Sequence, residues 1–233
     1  MQNRFGVDRA DEIIRDLRCI WISHIHGDHH TGLARILALR RDLLKGVPHE
    51  PLMVVGPWRL KRFLDAYQRL EDLDMQFLDC KHTSESSLAA LDSNEVDLAP
   101  KAAINCEDIK DADRIRSQDQ KIDSTLFAKG SRMQSYFKRP GSPAENAMVY
   151  PLLKKLMKVL REAGLQALIS FPVIHCPQAY GVVLKAADRT NGAGKTIPGW
   201  KIVYSGDTRP CPELVKASKS ATILVHEVCI GIS

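Results

Sequence analysis

The chain has 233 residues, 44% of them hydrophobic and 26% charged, enough to close a core and surround it with a charged surface. Lys and Arg number 33 against 28 Asp and Glu, a formal charge of +5 that suits a polyanionic partner without requiring one. No apolar run reaches the roughly 18 to 20 residues that cross a bilayer, the opening MQNRFGVDRADEIIRD lacks the order of a secretory signal, and six cysteines without a C-x-x-C pair fit free thiols in a reducing compartment.

Taken in chain order, the apolar run Cys19 to Ser23 predicts a buried strand that delivers polar groups at its C-terminal end. Leu33, Ile36, Leu37, Leu43 and Leu44 fall at helical spacing between Gly32 and Lys45, and Gly46 supplies a stop. Pro51 to Val55 reads as the next strand, and Trp58 to Leu70 as a helix with Leu60, Phe63, Leu64 and Tyr67 on its apolar stripe. The rhythm is α/β, and residues 1–82 form its first part. From about Thr83 to Pro143 apolar residues are too sparse to offset chain entropy, which predicts a polar, disordered insertion over 83–143. A second ordered part, 144–233, begins with a helix from Tyr150 to Gly164, with Pro151 in its first turn. Strands follow at Ala167 to Ile174, Tyr180 to Ala187 and Trp200 to Tyr204, then a short helix at Pro212 to Ser218 and a strand at Thr222 to Val225. The loop Asn191-Gly192-Ala193-Gly194-Lys195 lacks the spacing of a phosphate loop and joins strand to strand.

The chemistry concentrates in Ser23-His24-Ile25-His26-Gly27-Asp28-His29, an H-x-H-x-D-H arrangement at a strand end. Strand alternation points His24 and His26 the same way, while Asp28 and His29 diverge across the following turn, a pattern that favours two metal ions. His175 and Asp207 also follow predicted strands. Each has an ordinary reading alone, a buried histidine or a turn cap, and gains weight from occurring with the others in this order. His30 is read as a support for the ligand loop, His49 and His82 as loop residues, and Cys176 as a small packing residue.

The ordered set H-x-H-x-D-H, His, Gly-Asp resembles the ligand pattern of the metallo-β-lactamase superfamily. Within it, HIHGDHHTGL (24–33), HCPQAYG (175–181) and YSGDTRPC (204–211) resemble long-form ribonuclease Z, in wording closest to plant-like members. His226-Glu227 resembles the family's His-Glu-Ala motif, with Val228 in place of alanine, and Gly27 stands where alanine is common. The resemblance implies part of an αβ/βα sandwich in which His24, His26 and His175 hold one Zn2+, Asp28 and His29 a second, and Asp207 bridges them. It further implies Asp28 as the group that orients or deprotonates the attacking water and His226 as the proton donor to the leaving 3′ oxygen. The substrate would be precursor tRNA, cut to release its 3′ trailer, in the nucleus or a mitochondrion, with no membrane partner.

Two departures qualify these expectations. The family's further histidine, in a His-Ser-Thr motif, lies beyond the segment matching His226, so the second zinc lacks a ligand within these 233 residues. The family's first glycine motif and, in long forms, an amino-terminal half precede the segment present here, so the chain reads as truncated at both ends, with a dimer or a pseudo-dimer with that half as the assembly. Two alternatives remain in view: a non-catalytic fragment of such an enzyme, and a hydrolase of small esters on the same metal core.

Overall fold

A computed structural model describes residues 4, 6–94 and 143–228. In chain order these form α1 (Val7–Asp16), β1 (Cys19–Trp21), α2 (Gly27–Leu43), β2 (Leu52–Gly56), α3 (Trp58–Tyr67), β3 (Met75–Asp79), a 3-10 turn (Cys80–Thr83), α4 (Glu85–Asn94), α5 (Pro143–Glu162), β4 (Leu165–Pro172), β5 (Tyr180–Ala186), the β6–β7 ribbon (Arg189–Thr190, Thr196–Ile197), β8 (Lys201–Thr208), α6 (Pro212–Ser218) and β9 (Ile223–Val228). Strands β1, β2 and β3 form a parallel three-stranded sheet. A second sheet has the order β4-β5-β8-β9, antiparallel except between β8 and β9.

Side-chain alternation decides how these sheets stack. On β2, Met53 and Val55 face a core shared with Leu168, Tyr180 and Val182 of the second sheet, and α5 contributes Leu153, Leu156 and Leu160 to it. Leu52 and Val54, one position out of phase, face Leu33 and Leu37 of α2 and Leu60 and Leu64 of α3. On the far side of the second sheet, Phe171, Val183 and Val203 pack against Leu214 of α6. The order is therefore helices, sheet, sheet, helix. Strand β2, buried along its length, reads as a continuous apolar run because both its faces are covered.

One cation ties the start of the parallel sheet together. Arg40, near the end of α2, donates from Nε to the Leu17 carbonyl and from Nη2 to the Glu50 carbonyl, at 3.1 and 3.2 Å. Its Nη1 stands 3.7 Å from the Asp74 carboxylate. Leu17, Glu50 and Asp74 precede β1, β2 and β3, so a single buried guanidinium gathers the N-terminal ends of all three strands.

Several boundaries differ from those read in the sequence. Helix α2 starts at Gly27 rather than Gly32, which places Asp28 and His29 in its first turn. Helix α5 starts at Pro143, so Pro151 sits inside it, where its missing N–H removes one backbone hydrogen bond. Part of the stretch expected as an insertion forms α4, and residues 95–142 lie outside the described residues. Helix α1 and strand β3 had no counterpart in the sequence reading.

Gly181 of β5 lies opposite Phe171 of β4, and a Cβ there would meet the Phe171 ring at 2.3 Å. The ring occupies the space a side chain would fill. Gly181→Ala should destabilise the fold by about 1–3 kcal/mol through forced movement of that ring; an unchanged urea midpoint would contradict this packing account.

Candidate metal centre

The site is assembled where three chain segments leave the sheets. The first is the connection from β1 into α2, where His24 and His26 lie and the helix brings His29. His175 stands in the β4–β5 connection, beside the backbone pairing of Ile174 with Arg209. Asp207 comes from the end of β8, where the pairing with β9 slips between Tyr204 and Asp207. Such a slip turns a side chain off its regular direction.

Two backbone features bring these segments together. The Tyr180 N–H donates to the Ser23 carbonyl at 3.0 Å, linking the strand that carries His24 to the strand after His175. Gly206 adopts φ +59°, and a Cβ there would stand 3.0 Å from both the Ser23 Cβ and the Tyr180 carbonyl oxygen. Glycine satisfies the left-handed conformation and the close approach at once.

His24 Nε2 lies 3.1 Å from His26 Nδ1, which lies 2.9 Å from His175 Nε2. Asp207 reaches His29 Nε2 with Oδ1 at 3.4 Å, and His175 Nε2 with Oδ2 at 3.5 Å. Asp207 Oδ2 is also 3.9 Å from His24 Nε2. Two overlapping ligand-competent groups result: His24, His26, His175 and Cys176, and His24, His29 and Asp207. Zinc bound tetrahedrally at about 2.0–2.1 Å sets its ligand nitrogens about 3.3 Å apart. The imidazole trio therefore closes around a position of that size with a small outward adjustment. Three imidazoles and carboxylates form a donor set suited to a divalent ion of the zinc type.

At His24 and His175 the surroundings favour the neutral imidazole, the form a metal requires. Burial, then the neighbouring His29 and His175, lowers the His24 pKa from 6.5 to about 4, against the opposing pull of Asp207. Burial also lowers that of His175, again opposed by Asp207. For Asp207 burial acts upward, but hydrogen bonding with Glu227 and attraction to His29, His24 and His175 leave the carboxyl below its ordinary value. The Ser23 hydroxyl, 3.0 Å from His24 Nδ1, orients that ring so that Nε2 faces the cluster.

The remaining residues singled out in the sequence occupy the periphery. The Asp28 side chain is 79% exposed and touches the cluster only through His29, at 3.5 Å. His226 is held by Ser205, its Nδ1 2.9 Å from Oγ. That hydroxyl donates to the Gly206 carbonyl and accepts from the Glu227 N–H, so its one proton is committed and His226 Nδ1 must donate to it. Nε2 is the ring nitrogen that Ser205 does not engage. His30 Nδ1 donates to the His26 carbonyl at 2.9 Å and supports the loop, as read from the sequence.

Cys176, read as a packing residue, has its sulfur among the nitrogens of His24, His26 and His175. Burial raises its thiol pKa, which favours the neutral form. Ser205 and Glu227 were not assigned from sequence; the His-Glu pair after a strand was the available signal, and Tyr204 adds a hydrogen bond from its hydroxyl to Glu227 at 3.0 Å.

No protein-family model matches the chain. The mitochondrial tRNase Z TRZ4 of Arabidopsis thaliana is 58% identical over 228 residues, covering 97% of this chain and 22% of that protein. TRZ3 of the same plant, also mitochondrial, is 58% identical over 227 residues, covering 97% and 23%. The chain is thus similar, over nearly all its length, to one segment of each of these two tRNase Z proteins. Human zinc phosphodiesterase ELAC protein 2 is less similar, 28% identical over 96% of this chain and 19% of that protein. The crystal structure of a long-form RNase Z from yeast superposes with a TM-score of 0.51 at 21% identity, covering 86% of this chain and 22% of that one. The fold is accordingly the metallo-β-lactamase αβ/βα sandwich, in part. The chain spans about a fifth of the length of the tRNase Z relatives it matches.

A histidine whose folded pKa lies below its unfolded one binds fewer protons when folded. The stability linked to His24 is therefore whole above about 6.5 and is lost as pH falls from there through about 4. His175 and Asp207, both shifted downward, act in the same direction. The melting temperature of the metal-free chain should fall across that interval, and a His24→Gln variant should show a shallower slope; identical slopes would contradict the assignment. At neutral pH, Zn2+ should raise the melting temperature of the parent chain and leave His175→Ala largely unmoved.

Proposed function

We propose that this chain is the metal-binding part of a zinc-dependent endoribonuclease that removes the 3′ trailer from precursor tRNA, and that its parent protein works in a mitochondrion. The observation that carries the reading is the convergence of His24, His26, His175 and Asp207 from three separate connections onto one point. The relatives' names supply the substrate class: tRNase Z and zinc phosphodiesterase.

In this reading His24, His26 and His175 would hold one Zn2+, His29 and Asp28 would contribute to a second, and Asp207 would serve both. When bound, the ions would lower the pKa of water toward neutrality and stabilise charge on the attacked phosphate. The chain's own residues supply the rest. Asp28, exposed on the rim of the cluster, would orient or deprotonate the attacking water. His226 in its imidazolium form gives the Nε2 proton to the departing 3′ oxygen. It then returns to the neutral tautomer with its proton on Nδ1, the form Ser205 stabilises. The products are a tRNA ending in a 3′ hydroxyl and a trailer with a 5′ phosphate. We further propose that the rest of the parent protein, as a pseudo-dimeric half or in a dimer, grips the tRNA body.

The full-length parent incubated with Zn2+ and a 3′-extended precursor tRNA should cut it after the discriminator base. Asp207→Ala should lower kcat/KM by about a thousandfold or more, since it removes several kcal/mol of metal-linked stabilisation. His226→Ala should cost about 10²–10⁴-fold while leaving zinc content unchanged. A parent protein that binds zinc but leaves precursor tRNA intact would defeat the proposal, and faster turnover of a small ester would favour the esterase alternative.

A further inference from the structure

Helix α3 is fastened to both connections that carry the clustered histidines. At its start the Arg59 N–H, one of the helix-end donors that lack an intrahelical partner, donates to Gln178 Oε1 at 3.0 Å. Gln178 lies in the connection that carries His175 and holds a left-handed φ of +64°, a conformation unfavourable for a residue with a side chain. One turn further along α3, the Phe63 ring meets His30 edge to face with centroids 5.0 Å apart, and His30 in turn donates to the His26 carbonyl. Two separate contacts therefore hold the first turns of α3 beside the cluster.

These turns present an indole and unpaired cations to solvent. Trp58 opens the helix with 48% of its surface exposed, although tryptophan is on average a well-buried residue. The Lys61 ammonium lies 5.9 Å over its ring but is engaged by Asp65 at 2.6 Å. Arg59 is exposed and makes no ion pair among the described residues, and it shares a helix face with Phe63. Its charge reaches the cluster: burial raises the pKa of the Cys176 thiol, beside His175, and Arg59 opposes the rise. On the β8 side of the same connection stands Arg209, also exposed and without an ion pair among the described residues, its N–H bonded to the Ile174 carbonyl at 2.8 Å.

An indole stacks only on a base that has left a duplex, and stacking tolerates any base because every base has a π-face. A guanidinium binds phosphate oxygens through its planar donor fork. An exposed aromatic ring set among unpaired cations is thus the donor set of a single-strand site.

We propose that the start of α3 is the platform for the unpaired RNA strand at the cut. Trp58 stacks on one base, and Arg59, with Arg209 across the His175 connection, holds the adjoining phosphates. The inference rests on the reading of the cluster as the centre of an RNA-cutting enzyme and assigns the residues that lead the strand to it.

A short, labelled single-stranded RNA titrated with the metal-free chain, where no cutting occurs, should show a saturable rise in anisotropy, and a blunt RNA duplex should bind more weakly. Trp58→Ala should weaken single-strand binding about tenfold, and Trp58→Phe far less. Arg59→Gln should also weaken it and lower the slope of log affinity against log salt by about 0.7. Arg69→Gln, the same charge change at an exposed position beyond the far end of α3, should leave affinity and slope unmoved. No saturable binding, or Trp58→Ala and Arg59→Gln that bind like Arg69→Gln, would overturn the inference. In the full-length parent, Trp58→Ala should raise KM for precursor tRNA about tenfold. An unchanged KM in an active parent would overturn this inference alone. A parent that holds zinc and binds RNA through Trp58 and Arg59 yet cuts nothing would defeat the functional reading and leave the RNA platform standing.

Discussion

Two imidazole nitrogens, His24 Nε2 and His175 Nε2, held 3.1 and 2.9 Å from His26 Nδ1, are the constraint on which the site depends. Lone pairs converging at that distance repel unless a proton or a cation lies between them, and burial disfavours the proton at His24. The fold must therefore hold the cluster against its own electrostatics. It does so with interactions outside the cluster: the Tyr180 to Ser23 backbone hydrogen bond, the pairing of Ile174 with Arg209, and the close approach permitted by Gly206. Each joins the elements that carry different ligands. The cost of assembling the nitrogens is offset by the packing of two sheets around Met53, Val55, Tyr180 and Val182.

The two halves of the chain make unequal contributions. The parallel sheet, clamped by Arg40 at one end, projects its histidines from the other, as is common where ligand sites lie beyond the carboxyl ends of parallel strands. The mixed sheet adds His175 and Asp207 from an interstrand connection and an irregular strand end. Neither sheet holds a complete ligand set. Metal affinity is consequently linked to the packing between the sheets, and a change at a remote position such as Gly181 or Phe171 should be felt at the cluster.

Around the imidazoles, hydroxyl groups fix orientation. Ser23 positions His24, and Ser205 selects the tautomer of His226 while also accepting from the Glu227 N–H. Tyr204 and Glu227 extend this arrangement to Asp207. Partners of this kind decide which ring nitrogen is available for a metal and which carries a transferable proton, and they come from residue types with no metal-binding character of their own.

The sequence by itself determined the alternating α/β order, the strands on either side of the ligand words and the identity of the candidate ligands. Apolar periodicity and residue chemistry are local properties, readable over a few positions. It also carried the family resemblance, since HIHGDHHTGL, HCPQAYG and YSGDTRPC are contiguous words. Short or weakly apolar elements escaped it: Met75–Asp79 is five residues long, and α1 buries only Ala10 and Ile14. Only the tertiary structure decided which candidates meet. His175 and Asp207 are far from His24 in the chain, and their approach depends on sheet packing and on a slipped register that no local pattern encodes. It likewise packed Cys176 against the core of the second sheet with its sulfur near the histidines, left Asp28 on the rim, and gathered cations from the start of β1, the end of α2 and α5 into a single cleft. Distances between residues remote in sequence are set by the whole core, and those distances decide the chemistry.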